Sequence, residues 1–474
     1  MKNDCPGCMS APLSRRDALK FASNGFGLMA LSALMADQSY AGLSTHTPDF
    51  TPKVKNVIFC FMPGGVSHID TFDPKPKLAE LDGKSFDGFY QVGAKKETNR
   101  KWVKSPWQFA QHGKSGIWVS DLFPHIATCV DEMTMIRSMV SGFPLHPRAN
   151  LLMHTGRNTG GYPSLGSWIN YALGSENKNL PGYVLLHAGA VPPGGLENFS
   201  NGFLPGTFQA TAMQAEGEPV VNIKPADKDP KIQRAKLDVL IQEDRQFLQS
   251  IGTDDGVDSA IQNYEMAYKM QSVVPDVLNL DKESEATKKL YGLDSADHNK
   301  RLYSLQCLRA RRLIESGVRF VEITCPEIYG MNNGTWDQHT ELRKGHEGNA
   351  LITDQGIAAL VKDLKARGLL DETLIVWATE FGRTPHAPIL DGRDHHETAF
   401  TVWMAGGGLK KGFVYGATDE VGMHSVENVT EVYDLHATIL QLLGLNHKKL
   451  TYRFGGRDVS LTDVHGHVTS DVLS

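Results

Sequence analysis

The sequence predicts an α/β fold, a mostly parallel sheet with helices on both faces. Three observations carry that prediction. Short unbroken apolar runs recur along the chain, helical patterns alternate with them, and ionisable residues crowd the positions directly after the runs. With 474 residues, 41% of them hydrophobic and 22% charged, the chain has apolar material for a large core.

The runs are VKNVIFCFM (54–62), the stretch 182–186, RFVEIT (319–324), TLIVWAT (373–379) and FTVWM (400–404), each bounded by Gly, Pro or charge. Apolar runs without polar alternation suit strands covered on both faces. The first and the last three are expected as neighbours in one sheet. Helical patterns at 298–315, 349–367 and 431–443 fill the intervals, and Gly368 and Gly444 stop the last two. Two polar stretches, about 82–116 and 227–295, read as insertions that could cover a site.

Residues 1–41 read as an address. Arg15-Arg16 precede a weakly apolar run at 21–35, and Ser39-Tyr40-Ala41 supplies the small residues of a cleavage site. This is the order of a Tat signal peptide, which predicts a periplasmic or secreted domain over 42–474. Cys5 and Cys8 fall within the signal. Cys60, Cys129, Cys307 and Cys325 lie in apolar or mixed segments and read as buried small hydrophobes. No stretch of the mature chain approaches the roughly 20 apolar residues of a membrane span.

Charge narrows the function classes. Lys and Arg number 48 against 54 Asp and Glu, a net charge of −6 that leaves no electrostatic footprint for nucleic acid. The 18 His are more informative, because imidazole is the commonest transition-metal ligand and several sit among carboxylates late in the chain.

In parallel sheets ligands gather at the carboxyl ends of strands. After the first run come Gly64-Gly65, then Ser67, His68, Asp70 and Thr71, a place for an anion or metal. Asp337 and His339 are two apart, so in an extended loop both point to one side, as two ligands of one ion require. Glu380 ends the TLIVWAT run, with Arg383 beside it suited to anion capture. Arg393-Asp394-His395-His396-Glu397 immediately precedes FTVWM, a costly cluster unless partnered by metal or anion.

The stretches FMPGGVSHIDTFDPK (61–75), SLGSWINYALGSENKNLPGYVLL (164–186), TWDQH, ATEFGRTP, GRDHHETAFTVWMAGGGLKKGFVYGATDE and DLHATILQLLGLNHKKLTYRFGGRD resemble the bacterial domain-of-unknown-function family fifteen-oh-one. Their spread covers essentially the whole mature chain. That family is grouped with the alkaline-phosphatase and sulfatase superfamily. The resemblance implies an alkaline-phosphatase-like fold and a core holding two divalent metals beside an alkoxide nucleophile. It implies Asp337 and His339 on one metal, Glu380 at the strand-end position of the other, and His395 or His396 as the late histidine ligand. Three departures stand out: Pro63-Gly64-Gly65 where an Asp is usual, Phe381 where a His is usual, and Gly142 at the position of a nucleophilic Thr. Asp70 is then the substitute ligand and Ser141 the candidate nucleophile, with Ser67 and Thr71 behind it. The formylglycine signature of ordinary sulfatases is absent from the mature chain.

Two functions compete on these residues. The first is a metal-dependent hydrolase acting on phosphate or sulfate esters, with a sulfated or phosphorylated glycan among the anionic substrates considered. Zinc, calcium, magnesium or manganese would bind the ester, and Arg383 or Arg393 would neutralise its free oxygens. The alternative is a catalytically degraded protein on the same fold that binds metal or glycan. The sequence defines no oligomeric state.

Overall fold

Nine strands form the main sheet: β1 (Asn56–Phe61), β2 (Met133–Val140), β3 (Tyr183–His187), β4 (Thr211–Gln214), β5 (Phe320–Thr324), β6 (Thr373–Ala378), β7 (Phe400–Gly406), β8 (Phe413–Tyr415) and β9 (Thr430–Glu431). The computed structural model describes residues 46–474 apart from 89–90, 93–94, 97–98, 189–190, 221–222, 225–228, 253 and 329–333. The expected signal segment, residues 1–41, lies outside the described residues.

The strand order is β8-β2-β7-β6-β1-β5-β3-β4, with β9 also paired to β2. The four runs expected side by side are consecutive here: β7, β6, β1 and β5. β6, β1, β5, β3 and β4 are mutually parallel. β7 alone runs the other way, antiparallel to both β6 and β2. Its first residue therefore sits at the edge where its neighbours end. That reversal brings the polar segment before β7 to the same edge as the loops after β1, β2, β5 and β6.

Seven helices matter below: α1 (His146–Thr155), α2 (Leu165–Leu173), α3 (Pro230–Ile251), α4 (Asp255–Leu278), α5 (His298–Glu315), α6 (Leu342–Ala366) and α7 (Val432–Leu442). Alternate strand residues feed two cores. Ile58, Cys60, Val321, Ile323, Ile375 and Trp377 pack with α5 and α6. Val57, Phe59, Phe61, Phe320, Leu374 and Val376 pack with α1, α2 and α7 on the opposite face. The predicted architecture, helices on both faces of a mostly parallel sheet, is what the chain adopts. Cys60, Cys129, Cys307 and Cys325 are buried and free.

Three of the departures from the sequence reading lie in β2, α6 and α1. β2 was not foreseen, because Thr134, Arg137 and Ser138 interrupt its apolar run MTMIRSMV. α6 begins at Leu342 rather than at 349, with Glu341 in a left-handed cap at φ 54°. α1 was also missed: its polar-apolar pattern is weak, yet Pro147 in its first turn and left-handed Gly156 at its end define both boundaries. The stretch 82–116 contributes most of a hairpin, Phe109–His112 against Ile117–Ser120, and α3 and α4 fill much of 227–295.

Glu322 breaks the apolar pattern of β5 and is 1% exposed. Its carboxylate accepts from His154 Nε2 at 2.8 Å and from Tyr183 Oη at 2.7 Å. Burial opposes charge on His154, but Glu322 outweighs it and holds the imidazole's pKa above its usual value. This pair ties the end of α1 to the sheet, while the first residue of α1, His146, faces the sheet's carboxyl edge.

Candidate metal centre

Four segments meet at that edge. The loop between β5 and α6 carries Asp337 and His339. The segment before β7 carries Asp394 and His395, α1 starts at His146, and Glu380 follows β6. Local structure explains the convergence. His395–His396 pairs as a two-residue antiparallel ladder with Gly382–Arg383, so the chain before β7 is pinned to the chain after β6. Gln338 is buried at 1% exposure between Asp337 and His339, which therefore share the other side of the loop as their spacing predicts.

Asp337 Oδ1 is the focus. His146 Nε2 lies 3.2 Å from it, His339 Nε2 3.2 Å and His395 Nε2 3.1 Å. His339 Nε2 is also 3.0 Å from His395 Nε2. His146, Asp337 and His395 offer ligand atoms that all lie within 4.8 Å of one another. Tetrahedral bonds of 2.0–2.1 Å would separate ligand atoms by about 3.3 Å, close to the distances around Asp337 Oδ1, while His339 lies outside the set whose ligand atoms are all within 4.8 Å of one another.

The remaining ring nitrogens decide which way the imidazoles are wired. His146 Nδ1 donates to Glu380 Oε1 at 2.6 Å, His339 Nδ1 to Asp394 Oδ1 at 2.6 Å, and His395 Nδ1 to Pro144 O at 2.7 Å. A carbonyl and ionised carboxylates only accept, so each Nδ1 carries a proton. In the neutral rings each Nε2 then presents a lone pair. Three lone pairs aimed at one carboxylate oxygen repel it unless a cation or protons lie between. His146 Nε2 is buried and makes no hydrogen bond. Imidazoles whose outer nitrogens are held by carboxylates and a carbonyl are the usual wiring of metal-binding histidines.

Without metal, protons take the cation's place. Asp337 and then Asp394 raise His339 to about 9 against its burial. Burial lowers His146, yet Asp337 and Glu380 outweigh it and raise it overall. Burial dominates at His395 and lowers it to about 4. Asp337 is held far below the usual carboxylate range, the three imidazoles and Arg383 overcoming its burial.

The expected site residues divide into two groups. Asp337, His339 and His395 come together as ligand candidates. Glu380 reaches the cluster only as a support. It is fully buried, and its oxygens accept from Gly64 N at 2.9 Å and 3.2 Å, from Thr379 Oγ1 at 3.1 Å and from His146. Burial disfavours its charge, and the hydrogen bonds from His146 and Gly64 more than restore it.

The others are engaged elsewhere. Asp70 and Arg393 form a pair with both side chains 0% exposed, and Asp70 also accepts from Ser67 Oγ. Arg393 also donates to Thr384 O and Val103 O. Arg383 donates to Gly64 O, Gly65 O, Arg393 O and Asp337. Each guanidinium gives four of its five N–H groups to the protein and is 0% exposed, so the expected ester-neutralising role of Arg383 and Arg393 would require an ester to reach a buried donor. His396 Nε2 bonds Met423 O and Thr398, and His68 Nε2 bonds Gly422 O. Ser141 Oγ donates to Phe143 O at 3.4 Å and Thr71 Oγ1 to Ser67 O. Those bonds turn the three candidate hydroxyls, Ser67 included, to protein partners.

The glycines that stand in for a strand-end Asp now have a reason. A Cβ on Gly64, at φ 114°, would lie 2.6 Å from the backbone nitrogens of Trp336 and Asp337, and one on Gly65 would meet the Phe381 ring at 2.5 Å. The loop after β1 must therefore be bare for the Asp337 loop to close on it. Phe381 in turn packs its ring 4.8 Å from those of both His146 and His395. Phe381 thus stands as a ring contact where the resemblance expects a histidine ligand, and among the described residues one group of ligand atoms, from His146, Asp337 and His395, lies close enough to hold an ion.

His146 and Asp394 are the residues sequence reasoning missed. His146 follows Pro144 in a segment whose interest was placed on Ser141, and Asp394 was absorbed in the Asp-His-His-Glu cluster. The available signal was Asp394 directly before a histidine at the foot of a buried strand.

The class is thus defined: an α/β protein with a mostly parallel sheet and a three-histidine, one-aspartate cluster at its carboxyl edge. The chain belongs to the DUF1501 family, described as protein of unknown function, whose profile matches residues 54–473. No curated protein matches the sequence. Solved structures with detectable similarity include the PsFucS1 sulfatase from Pseudoalteromonas sp., at 14% identity over 91% of this chain and 72% of that one, TM-score 0.36. A putative sulfatase from Bacteroides thetaiotaomicron is 11% identical over 86% and 74%, TM-score 0.38. A protein in the alkaline phosphatase superfamily from Vibrio parahaemolyticus is 10% identical over 85% and 69%, TM-score 0.37. Among the described residues no helix is long and apolar enough to cross a membrane.

Proposed function

We propose that the chain is an exported hydrolase of anionic esters that works with one divalent transition-metal ion held by His146, Asp337, His339 and His395. The observation that carries this reading is the convergence of three Nε2 atoms on Asp337 Oδ1 while every Nδ1 is committed to an acceptor. An imidazole-rich donor set favours zinc over calcium and magnesium, which prefer all-oxygen shells, with manganese between them.

Such an ion supplies Lewis acidity and lowers the pKa of water. The protein's part is to hold and orient. Glu380, Asp394 and Pro144 O fix the ring tautomers and raise the basicity of the Nε2 atoms. Phe381 closes one flank of the His146–His395 pair to water. His339, with a side chain 38% exposed, leaves the opposite flank open to solvent and substrate. With a divalent ion added, Arg383 and Arg100 more than balance Asp337, Glu380 and Asp394, and a net positive centre favours an anionic ester. Water is the nucleophile in this reading, since Ser141, Ser67 and Thr71 are bonded to protein partners. The burial of Arg383 and Arg393, each bonded to the protein through four of its five N–H groups, favours the second reading, a metal-binding protein without turnover.

One experiment separates them. The mature chain, purified and loaded with zinc or manganese, should bind close to one ion per chain and hydrolyse 4-nitrophenyl phosphate or sulfate, whereas stoichiometric metal without turnover establishes the second reading. No retained metal sinks both. Because binding displaces a proton from His339 below about pH 9, and another from His146, metal affinity should fall at least about tenfold per unit of pH lost between 8 and 6. A pH-independent affinity would contradict the ligand set.

Export rests on the twin-arginine segment. Arg15→Lys with Arg16→Lys should retain the protein in the cytoplasm, read by fractionation. Normal periplasmic levels of the double variant would remove the Tat assignment.

A further inference from the structure

The three acceptors that orient the imidazoles are fixed to different degrees. Pro144 O belongs to the backbone, and Glu380 is fully buried among donors from Gly64 and Thr379. Asp394, which orients His339, has a side chain 16% exposed. A carboxylate that reaches water holds a ring in one place only where something holds the carboxylate.

That support comes from the stretch 82–116, which the sequence marks as an insertion. Lys101–Trp102 pairs antiparallel with His386–Ala387, Phe86 N donates to Arg100 O at 2.8 Å, and the Phe86 ring stacks on His386 with centroids 3.7 Å apart. These contacts set Arg100, 1% exposed, beside the segment that precedes β7. Its Nε donates to His386 Nδ1 at 2.7 Å, and its Nη2 to His386 O at 2.9 Å and to Asp394 Oδ2 at 2.5 Å. Asp394 Oδ1 in turn accepts from His339 Nδ1 at 2.6 Å. A planar guanidinium anchored at His386 fixes where the carboxylate stands, which a flexible ammonium would not.

We propose that Arg100 is a positioning residue of the metal centre, acting through Asp394 on His339. His146, Asp337 and His395 form a compact donor set without it. With its ring held by Asp394, His339 Nε2 joins that set from outside, 3.2 Å from Asp337 Oδ1 and 3.0 Å from His395 Nε2. The inference rests on the metal reading above and makes the insertion part of the site.

Zinc affinity, measured by competition titration on the full mature chain at one pH, tests this in a double-mutant cycle. By charge alone, removing a cation from beside the site would tighten zinc binding, so a loss reports on position. Arg100→Met should lower affinity about 10- to 100-fold, and His339→Ala by at least as much. The variant carrying both changes should bind no more weakly than His339→Ala, because the ring through which Arg100 acts is gone. Arg100→Lys keeps the charge without the fork and should recover part of the loss. Should Arg100→Met not fold, Asp394→Asn reads the same chain from a less buried side chain. Arg100 only donates, so the Asn oxygen turns to it and the amide NH2 to His339 Nδ1. The ring proton then moves to Nε2, and affinity should fall at least about tenfold, by less when His339 is already alanine. Unchanged or tighter binding in Arg100→Met, or losses that multiply with that of His339→Ala, overturns the inference and leaves the metal reading standing. A wild type that binds no zinc overturns both.

Discussion

His395→Ala should strip the protein of metal, with affinity falling at least about 100-fold, while the sheet remains folded. The substitution removes one of the Nε2 atoms beside Asp337 and opens the contact to His339 Nε2. Ser141→Ala should leave metal content unchanged, since its hydroxyl serves only Phe143 O. Glu380→Gln is the sharper comparison. The amide can still accept from Gly64 N and from the His146 ring, but it no longer enforces the His146 tautomer, and affinity should fall about 10- to 100-fold rather than vanish. Isothermal titration with zinc reads all three. Equal losses for Glu380→Gln and His395→Ala would make Glu380 a ligand, as the resemblance to two-metal enzymes implies.

Arg393→Met should destabilise the fold by about 3–5 kcal/mol, the cost of leaving Asp70 as a buried carboxylate without its cation. Both side chains are 0% exposed, so solvent cannot screen the loss. Burial pushes the Asp70 carboxyl up, and Arg393 first, then His346 and Ser67, outweigh it and hold its pKa low. Without Arg393 its carboxyl must take up a proton to stay buried. The variant should then recover part of its stability as pH falls through the new, raised pKa, the reverse of the wild type, in which acid removes the stabilisation. A second variant, Asp70→Leu with Arg393→Met, removes both charges and should cost less than Arg393→Met alone. Urea midpoints at pH 5 and pH 8 decide it. A single variant no less stable than the double would mean that the pair is not coupled as the structure has it.

The sheet was legible in the sequence because burial on both faces writes itself as an unbroken apolar run. β1, β5, β6 and β7 were read within two residues of their ends, and α5 at its observed bounds. β2 escaped because Thr134 and Ser138 find partners, Lys410 O and Asn428 O, that no local pattern announces. At the site, the i, i+2 spacing of Asp337 and His339 and the histidines before β7 could be read locally. The ligand set could not. Whether Glu380 binds metal or orients His146, and whether Arg393 meets substrate or Asp70, depends on pairs more than 200 residues apart in sequence. The same residue types serve either role. Periodicity records which side of an element is buried, so the sequence by itself determined the fold class and the edge at which charge collects. Only the tertiary structure decided which donor meets which acceptor, because hydrogen-bond partnership depends on ångström-scale positions set jointly by the reversed strand β7, the start of α1 and the bare glycine turn after β1.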